Sequence, residues 1–431
     1  MNKNNNVLIK NILILLSTGV IAKIIGMFGK IIYTRTAGVK IVSLYTLLTP
    51  TFMLIISLCQ FSFPIAISKL SAETTDKLDN KKLLISAYII GYIIDIVLMI
   101  LIMLTSKLIA KALNNLILYK VITSVIFIIP FVTTTSIMHG FLHGKEDMFP
   151  ASITNITEEI IKLLLTIFIL PIAIIKGNIY ALISIILFNI ITELVSILIM
   201  NKHIKKYITN DKVLFDKKIS NKILKISVPT TLIRLISAFG FFLEPILLTK
   251  LLINKGFSYD YITLEYGIIN SYVIPILSMP NFFFISIASA LLPNITKLYK
   301  NNKQKEFKNK IKKLLFLTII LGIFSILIIM LFPKNIMNII YKAKFGINYI
   351  YLLAPFFILL YLQPTLSVVI QSINKTNKLL YISCTSIIIK YLILFITSNL
   401  NFGINSYIYS VITGLIVTTL LIIYEIKKEI N

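Results

Sequence analysis

Apolar runs of about twenty residues recur from one end of the chain to the other, separated by short polar stretches. A run of that length crosses a hydrocarbon core as a helix. None shows the alternation of apolar and polar positions that marks the strands of a membrane barrel. Only helices and closed barrels satisfy every backbone group in lipid, so the pattern predicts an all-α integral membrane protein. About twelve spans are expected, near 7–33, 41–68, 83–106, 119–141, 149–175, 179–200, 223–253, 264–296, 314–333, 348–373, 379–398 and 404–425. Several of these exceed 25 residues and contain Pro or Gly, which predicts tilted or kinked helices.

The polar stretch 201–222 divides the pattern in two. Residues 1–200 are expected to form an N-terminal six-helix bundle, 201–222 a basic cytoplasmic linker, and 223–431 a C-terminal six-helix bundle. The halves repeat weakly. Phe63-Pro64 and Ser68-Lys69-Leu70 end the second span, as Leu292-Pro293 and Thr296-Lys297-Leu298 end the eighth. Gly144-Lys145 precedes a helix carrying Lys162, as Asn374-Lys375 precedes one carrying Lys390. Shared order in both halves predicts a duplicated transporter with pseudo-two-fold symmetry.

Charge refines this picture. Of 431 residues 57% are hydrophobic, yet the net charge is +26. The bases collect between spans, most densely in 69–82, 201–222 and 297–313. That is the positive-inside pattern rather than a nucleic-acid footprint, and it places both termini on the cytoplasmic side. The first run carries Lys23 and Lys30 and is followed by no small-residue cleavage site, so it reads as a span rather than a cleavable signal. Cys59 and Cys384 sit inside apolar runs and read as small core residues. His139 and His143 have a zinc-compatible spacing but no third ligand nearby. No phosphate loop or nucleophile motif is present. No enzyme activity, metal or cofactor is therefore expected.

The informative residues are charges inside spans, each costing roughly 2.5–3.5 kcal/mol on insertion scales unless it faces a bundle interior or a wet cavity. Gly19, Lys23, Gly26, Lys30 and Thr34 fall on one face of the first span, small and cationic, as for a helix lining a cavity that receives an anion. The fifth span carries Glu158, Glu159 and Lys162, with Glu158 and Lys162 spaced for an i,i+4 ion pair. The seventh carries Arg234 and Glu244, about 15 Å apart along a helix and so unable to pair with each other. Only two arginines occur in the chain, and a fork kept at position 234 suits a phosphate. Asp95, Glu193 and Lys390 are single charges in their spans, expected to pair with other helices.

Four segments also resemble a known family. They are Leu58-Cys-Gln-Phe-Ser-Phe-Pro-Ile-Ala-Ile-Ser-Lys-Leu-Ser-Ala-Glu73; Phe141-Leu-His-Gly-Lys145; Ser227-Val-Pro-Thr-Thr231 with Arg234 and Phe242-Leu-Glu-Pro245; and Leu353-Ala-Pro-Phe-Phe357 with Gln371. Together they resemble the stage V sporulation protein B family, within the superfamily of multidrug, oligosaccharidyl-lipid and polysaccharide (MOP) exporters. The resemblance implies two six-helix bundles working by alternating access, and a flippase that moves a lipid-linked oligosaccharide or peptidoglycan precursor to the outer leaflet of the bacterial cytoplasmic membrane. In that family the first, fifth and seventh helices supply charged groups, which map to Lys23, Lys30, Arg35, Glu159, Lys162, Arg234 and Glu244; the residue reading adds Glu158. The implied partners are a polyprenyl-pyrophosphate-linked saccharide, membrane lipids and cell-wall synthesis enzymes, with no nucleic acid and a monomeric chain. Coupling to a proton, a sodium ion or the membrane potential is expected. The chain stops after the twelfth span, where many relatives add two helices. The alternatives are a cation-coupled multidrug exporter of the same fold and a membrane-embedded saccharide polymerase or ligase.

Overall fold

A computed structural model describes residues 3–211, 215–301 and 303–430, without the side chains of 3–16, 290 and 430. Residues 212–214 of the basic stretch lie outside the described residues. The described residues form helices and no strand. They divide into two compact units, Met1–Ile41 with Leu48–Phe242, and Val42–Leu47 with Leu243–Asn431.

The first unit is built from α1 (Lys3–Gln60), α2 (Phe63–Glu73), α3 (Lys77–Ala112), α4 (Tyr119–Ser124), α5 (Ile129–Gly144), α6 (Met148–Phe168), α7 (Leu170–Lys176), α8 (Asn178–Ile204) and most of α9 (Lys217–Ile253). The second contains α10 (Tyr259–Ile268), α11 (Ile274–Ser278), α12 (Asn281–Lys300), α13 (Gln304–Leu331), α14 (Pro333–Tyr341), α15 (Ile347–Ser372), α16 (Thr376–Asn399) and α17 (Asn405–Ile430). Eight helices are long and apolar enough to cross a membrane, or ten when two bent pairs each count as one span. Two features bear on the expected count of about twelve. α1 runs through two spans and is broken at Gly38, whose φ of 72° ends the first. α6 and α7 lie where the fifth span is expected, and α6, which carries Glu158, Glu159 and Lys162, is not among the eight. Exposed Ile93, Ile96, Val97, Ile100 and Leu104 on α3, with Phe316, Ile320 and Phe324 on α13, are the lipid-facing positions such a protein needs.

The expected boundaries at 200 and 222 move. The division falls inside α9, at Phe242/Leu243, and the basic stretch belongs to the first unit instead of linking two bundles. Hydrogen bonds explain this. Asn80 Nδ2 donates to the Tyr207 carbonyl at 3.0 Å, Lys81 Nζ to the Asp211 carbonyl at 2.5 Å, and the Asp216 amide to Ser86 Oγ at 3.2 Å. The stretch is thereby docked along the start of α3.

Two apolar cores hold the units. Phe63, Ile67, Leu83, Ile137, Phe141 and Met200 meet where α2, α3, α5 and α8 converge. Ala288, Phe307, Val369, Ile370 and Ile422 join α12, α13, α15 and α17. In the first core α2 lies against a glycine seam on α5. A Cβ on Gly140 would stand 2.9 Å from Pro64 Cα, and one on Gly144 would stand 2.3 Å from the Ser68 carbonyl oxygen. Ser71 Oγ donates to the Phe141 carbonyl at 3.2 Å, and Lys145 Nζ donates to the carbonyls of Ser71 and Thr74 at the end of α2. Burial lowers the Lys145 ammonium from its ordinary value. Segments 58–73 and 141–145, far apart in sequence, are thus one structural feature: a short helix and the seam that receives it.

Candidate functional site

The residues of the expected cationic face differ in exposure, and Thr34 at its end is buried. Lys23, Lys30 and Arg35 are exposed on the part of α1 that precedes Gly38. Ile21, Ile24, Met27 and Phe28 are also exposed and supply the apolar surface of that helix. Between the two lysines lies Gly26, and a Cβ there would be 2.7 Å from Glu159 Oε2. One turn along, the Gly29 position faces Leu163 at 3.9 Å. The missing side chains on α1 let α6 approach and set a carboxylate one turn from Lys23 and one from Lys30.

Glu158 behaves differently from its spacing. Its Oε1 accepts a hydrogen bond from Ser196 Oγ on α8 at 2.7 Å, and no Glu158–Lys162 ion pair forms. The i,i+4 rule sees one helix only; packing of α6 on α8 offers Glu158 a nearer partner. Lys162 stays half-buried and makes no ion pair among the described residues.

Arg234 is held by a break in the second span. Phe61 and Ser62 both adopt left-handed backbone angles, φ 41° and 48°, and separate α1 from α2. Gln60 Oε1, just before the break, accepts from Arg234 Nη2 at 2.7 Å. Ser62 Oγ, within it, accepts from Thr231 Oγ1 at 3.1 Å. Non-glycine residues in that conformation cost about 1–3 kcal/mol each and persist only where their surroundings enforce them. Arg234 and Thr231 supply part of that enforcement. The remaining donors of the Arg234 fork make no hydrogen bond among the described residues.

Glu244 is the one expected site residue that lies in the second unit. It is buried, and both of its oxygens are taken. Oε1 accepts from Tyr407 Oη at 2.7 Å and Tyr266 Oη at 3.4 Å, while Oε2 is ion-paired with Lys390 Nζ. Tyr407 also contacts Asn270 Oδ1 at 2.9 Å. The carboxylate expected to meet substrate is spent inside the unit. Lys390, a lone charge in the sequence, is its partner, and a carboxylate on one helix gives no sign of an ammonium 146 residues away. Asp95 is likewise buried, with Thr133 Oγ1 2.7 Å from its Oδ1.

The structure also sets the register of the repeat. Glu146 and Asn374 are the left-handed residues that end α5 and α15, with φ 57° and 59°. Each lies in the same capping pattern: Glu146 N to His143 O and Asp147 N to Leu142 O, Asn374 N to Gln371 O and Lys375 N to Ile370 O. Glu146 therefore corresponds to Asn374, two residues from the match suggested by Gly144-Lys145 and Asn374-Lys375. The same offset of 228 residues superposes Ser68-Lys69-Leu70 on Thr296-Lys297-Leu298 and Lys162 on Lys390. The two intramembrane lysines are counterparts, one bound to Glu244 and one not.

A family model described as polysaccharide biosynthesis protein matches residues 8–299. The chain belongs to that family. A second model, MatE, matches residues 270–396. The chain is 26% identical over 437 aligned residues to stage V sporulation protein B of Bacillus subtilis (strain 168), spanning 97% of this chain and 83% of that protein. It is 24% identical over 364 residues to sporulation protein YkvU of the same organism, covering 83% and 81%. Among solved structures, an inward-facing multidrug resistance MATE family transporter of the MOP superfamily matches with a TM-score of 0.72 at 14% identity, over 95% of this chain and 98% of that one. The fold is that of the MOP exporters. Family and fold together make this a multi-pass membrane transporter of the polysaccharide biosynthesis type.

Proposed function

We propose that the chain is a flippase carrying a polyprenyl-pyrophosphate-linked saccharide from the inner to the outer leaflet of the bacterial cytoplasmic membrane, with both termini inside. The observation that supports this most is the Lys23–Gly26–Lys30 face of α1, exposed and met by Glu159. A pyrophosphate cannot enter hydrocarbon unpaired. Lysines on a span, and the unused donors of Arg234, lower that barrier while the polyprenyl tail stays in lipid. Glu159 beside the lysines keeps the site from holding the anion too tightly to release it. Glu158, Glu159 and Lys162 are the groups through which a proton or sodium ion would couple to the cycle, with the membrane potential acting on the moving charge. The MatE match over 270–396 favours a second reading, a cation-coupled drug exporter. Exposed lysines repel a cationic drug, which sets this reading below the first.

The test is leaflet transfer of a fluorescent undecaprenyl-pyrophosphate-linked saccharide by purified protein in vesicles. Arg234→Ala and Lys23→Ala are each expected to slow transfer roughly tenfold or more, the equivalent of one charge-assisted hydrogen bond. A folded wild type that transfers no saccharide lipid but moves cationic dyes overturns the proposal in favour of the exporter. Gly26→Leu is expected to displace Glu159 and to change transfer by a similar factor, with the protein still folded. Unchanged transfer in Gly26→Leu would remove the α1–α6 contact from the site.

A further inference from the structure

The second unit contains a cavity of about 310 Å³ between α12 and α15. That is the lower end of the ~300–1,000 Å³ range of small-molecule sites. Its lining includes Asn281, Ser289, Gln363, Ser367 and Gln371, and no charged residue. These positions share one face of each helix, at steps of four or eight residues. None of the five side chains makes a hydrogen bond among the described residues, and Asn281 Oδ1 is fully buried without a partner. Elsewhere in the unit the hydroxyls of Ser286, Thr296, Ser372 and Thr365 find partners within the protein.

Two prolines extend the polar character to the backbone. Pro293 stands inside α12 and Pro364 inside α15. A proline has no N–H for the carbonyl four residues earlier. Those carbonyls belong to Ser289 and Leu360, and both residues line the cavity. The site therefore offers amide donors, hydroxyls and freed carbonyl acceptors, all uncharged. A buried acceptor without a partner, as Asn281 Oδ1 is, is costly, and one kept beside a cavity serves what enters it.

We propose that this cavity recognises the neutral sugar moiety of the transported lipid, as a saccharide subsite within the second unit. Uncharged donors and acceptors in alternation match the hydroxyls and amides of a sugar ring. They give a pyrophosphate no countercharge and a cationic drug no carboxylate. The inference rests on the flippase reading and deepens it: the phosphate and the sugar are read by different residues.

The test compares binding of two probes to purified wild type and to Gln363→Leu/Gln371→Leu, a near-isosteric exchange that removes the amides. One probe is undecaprenyl-pyrophosphoryl N-acetylglucosamine and the other is bare undecaprenyl pyrophosphate. The double variant is expected to bind the sugar-bearing lipid roughly tenfold more weakly and the bare lipid unchanged, as when a site loses hydrogen bonds to one substituent. If the double variant does not fold, Gln363→Leu alone carries the same readout. Equal affinity of wild type for both probes, or a variant that weakens both or neither, overturns the subsite and leaves the flippase reading standing. A wild type that binds neither probe overturns both.

Discussion

Lys390→Met is expected to destabilise the protein by about 3–5 kcal/mol, the cost of removing one partner of a buried ion pair. Glu244 is buried, and the Lys390 ammonium is the only cation bonded to it among the described residues. Methionine matches the length of the stem and removes the charge, so packing is nearly kept while a carboxylate is left in a low-dielectric interior. Tyr407 and Tyr266 still donate to it, but two phenols do not replace an ammonium. Adding Glu244→Gln should recover much of the loss, because a neutral amide accepts from both tyrosines without a countercharge. The chain contains no tryptophan, so the measurement is the fraction of monodisperse protein surviving a heating series in detergent. Lys390→Met within about 0.5 kcal/mol of wild type, or no recovery in the double variant, would show that the pair does not hold the unit together. A buried pair of this kind adds little over an apolar core of the same shape, so Lys390→Met/Glu244→Gln is expected to keep the fold and can then be assayed for transport.

The spans were legible because hydrophobicity along a helix is a one-dimensional signal. The break at Gly38 falls between the first two expected spans, whereas the one at Phe61 and Ser62 falls inside the expected span 41–68, where a proline promised only a kink. Partnerships were not legible in the same way. The spacing of Glu158 and Lys162 described one helix correctly but could not show that Ser196 on α8 lies closer. Gln60 gave no signal as the anchor of Arg234, since nothing along the chain ties position 60 to position 234. Lys390 was visible as an expensive charge, and its partner Glu244 was visible as another, but nothing along the chain joined them. Lys69 with Lys297 and Lys162 with Lys390 already stood in register. Matching Gly144-Lys145 to Asn374-Lys375 placed that one segment two residues off, because the caps at Glu146 and Asn374 depend on backbone angles that unlike residues share. The uncharged cavity was the least legible feature. Gln371 drew notice only through family resemblance, and Asn281 and Gln363 cost too little singly to stand out until α12 and α15 brought them together.

Gly144→Val should cost about 3 kcal/mol, the upper end for inserting methyl groups into a packed interface, and lower the amount of folded protein in the membrane. A Cβ at this position would meet Ser71 Oγ at 1.9 Å and the Ser68 carbonyl oxygen at 2.3 Å. The serine hydroxyl can rotate away. The carbonyl cannot, because it belongs to the backbone of α2, so the short helix must lift from α5. Lifting it also draws the Ser71 carbonyl away from Lys145 Nζ, now 2.6 Å distant, and leaves the end of α2 uncapped. Ser71→Ala should not rescue Gly144→Val, since it removes the movable neighbour and leaves the fixed one. Gly19→Ala is the control: a Cβ there meets nothing within 4 Å, and alanine in a helix interior is favoured over glycine by about 1 kcal/mol. Survival of Gly144→Val at wild-type temperature would mean that α2 is not seated on the seam. Loss in both glycine variants would point to general fragility of the chain. Loss in Gly144→Val alone ties stability to the contact that positions the Gln60–Ser62 break, and through it the side chain of Arg234.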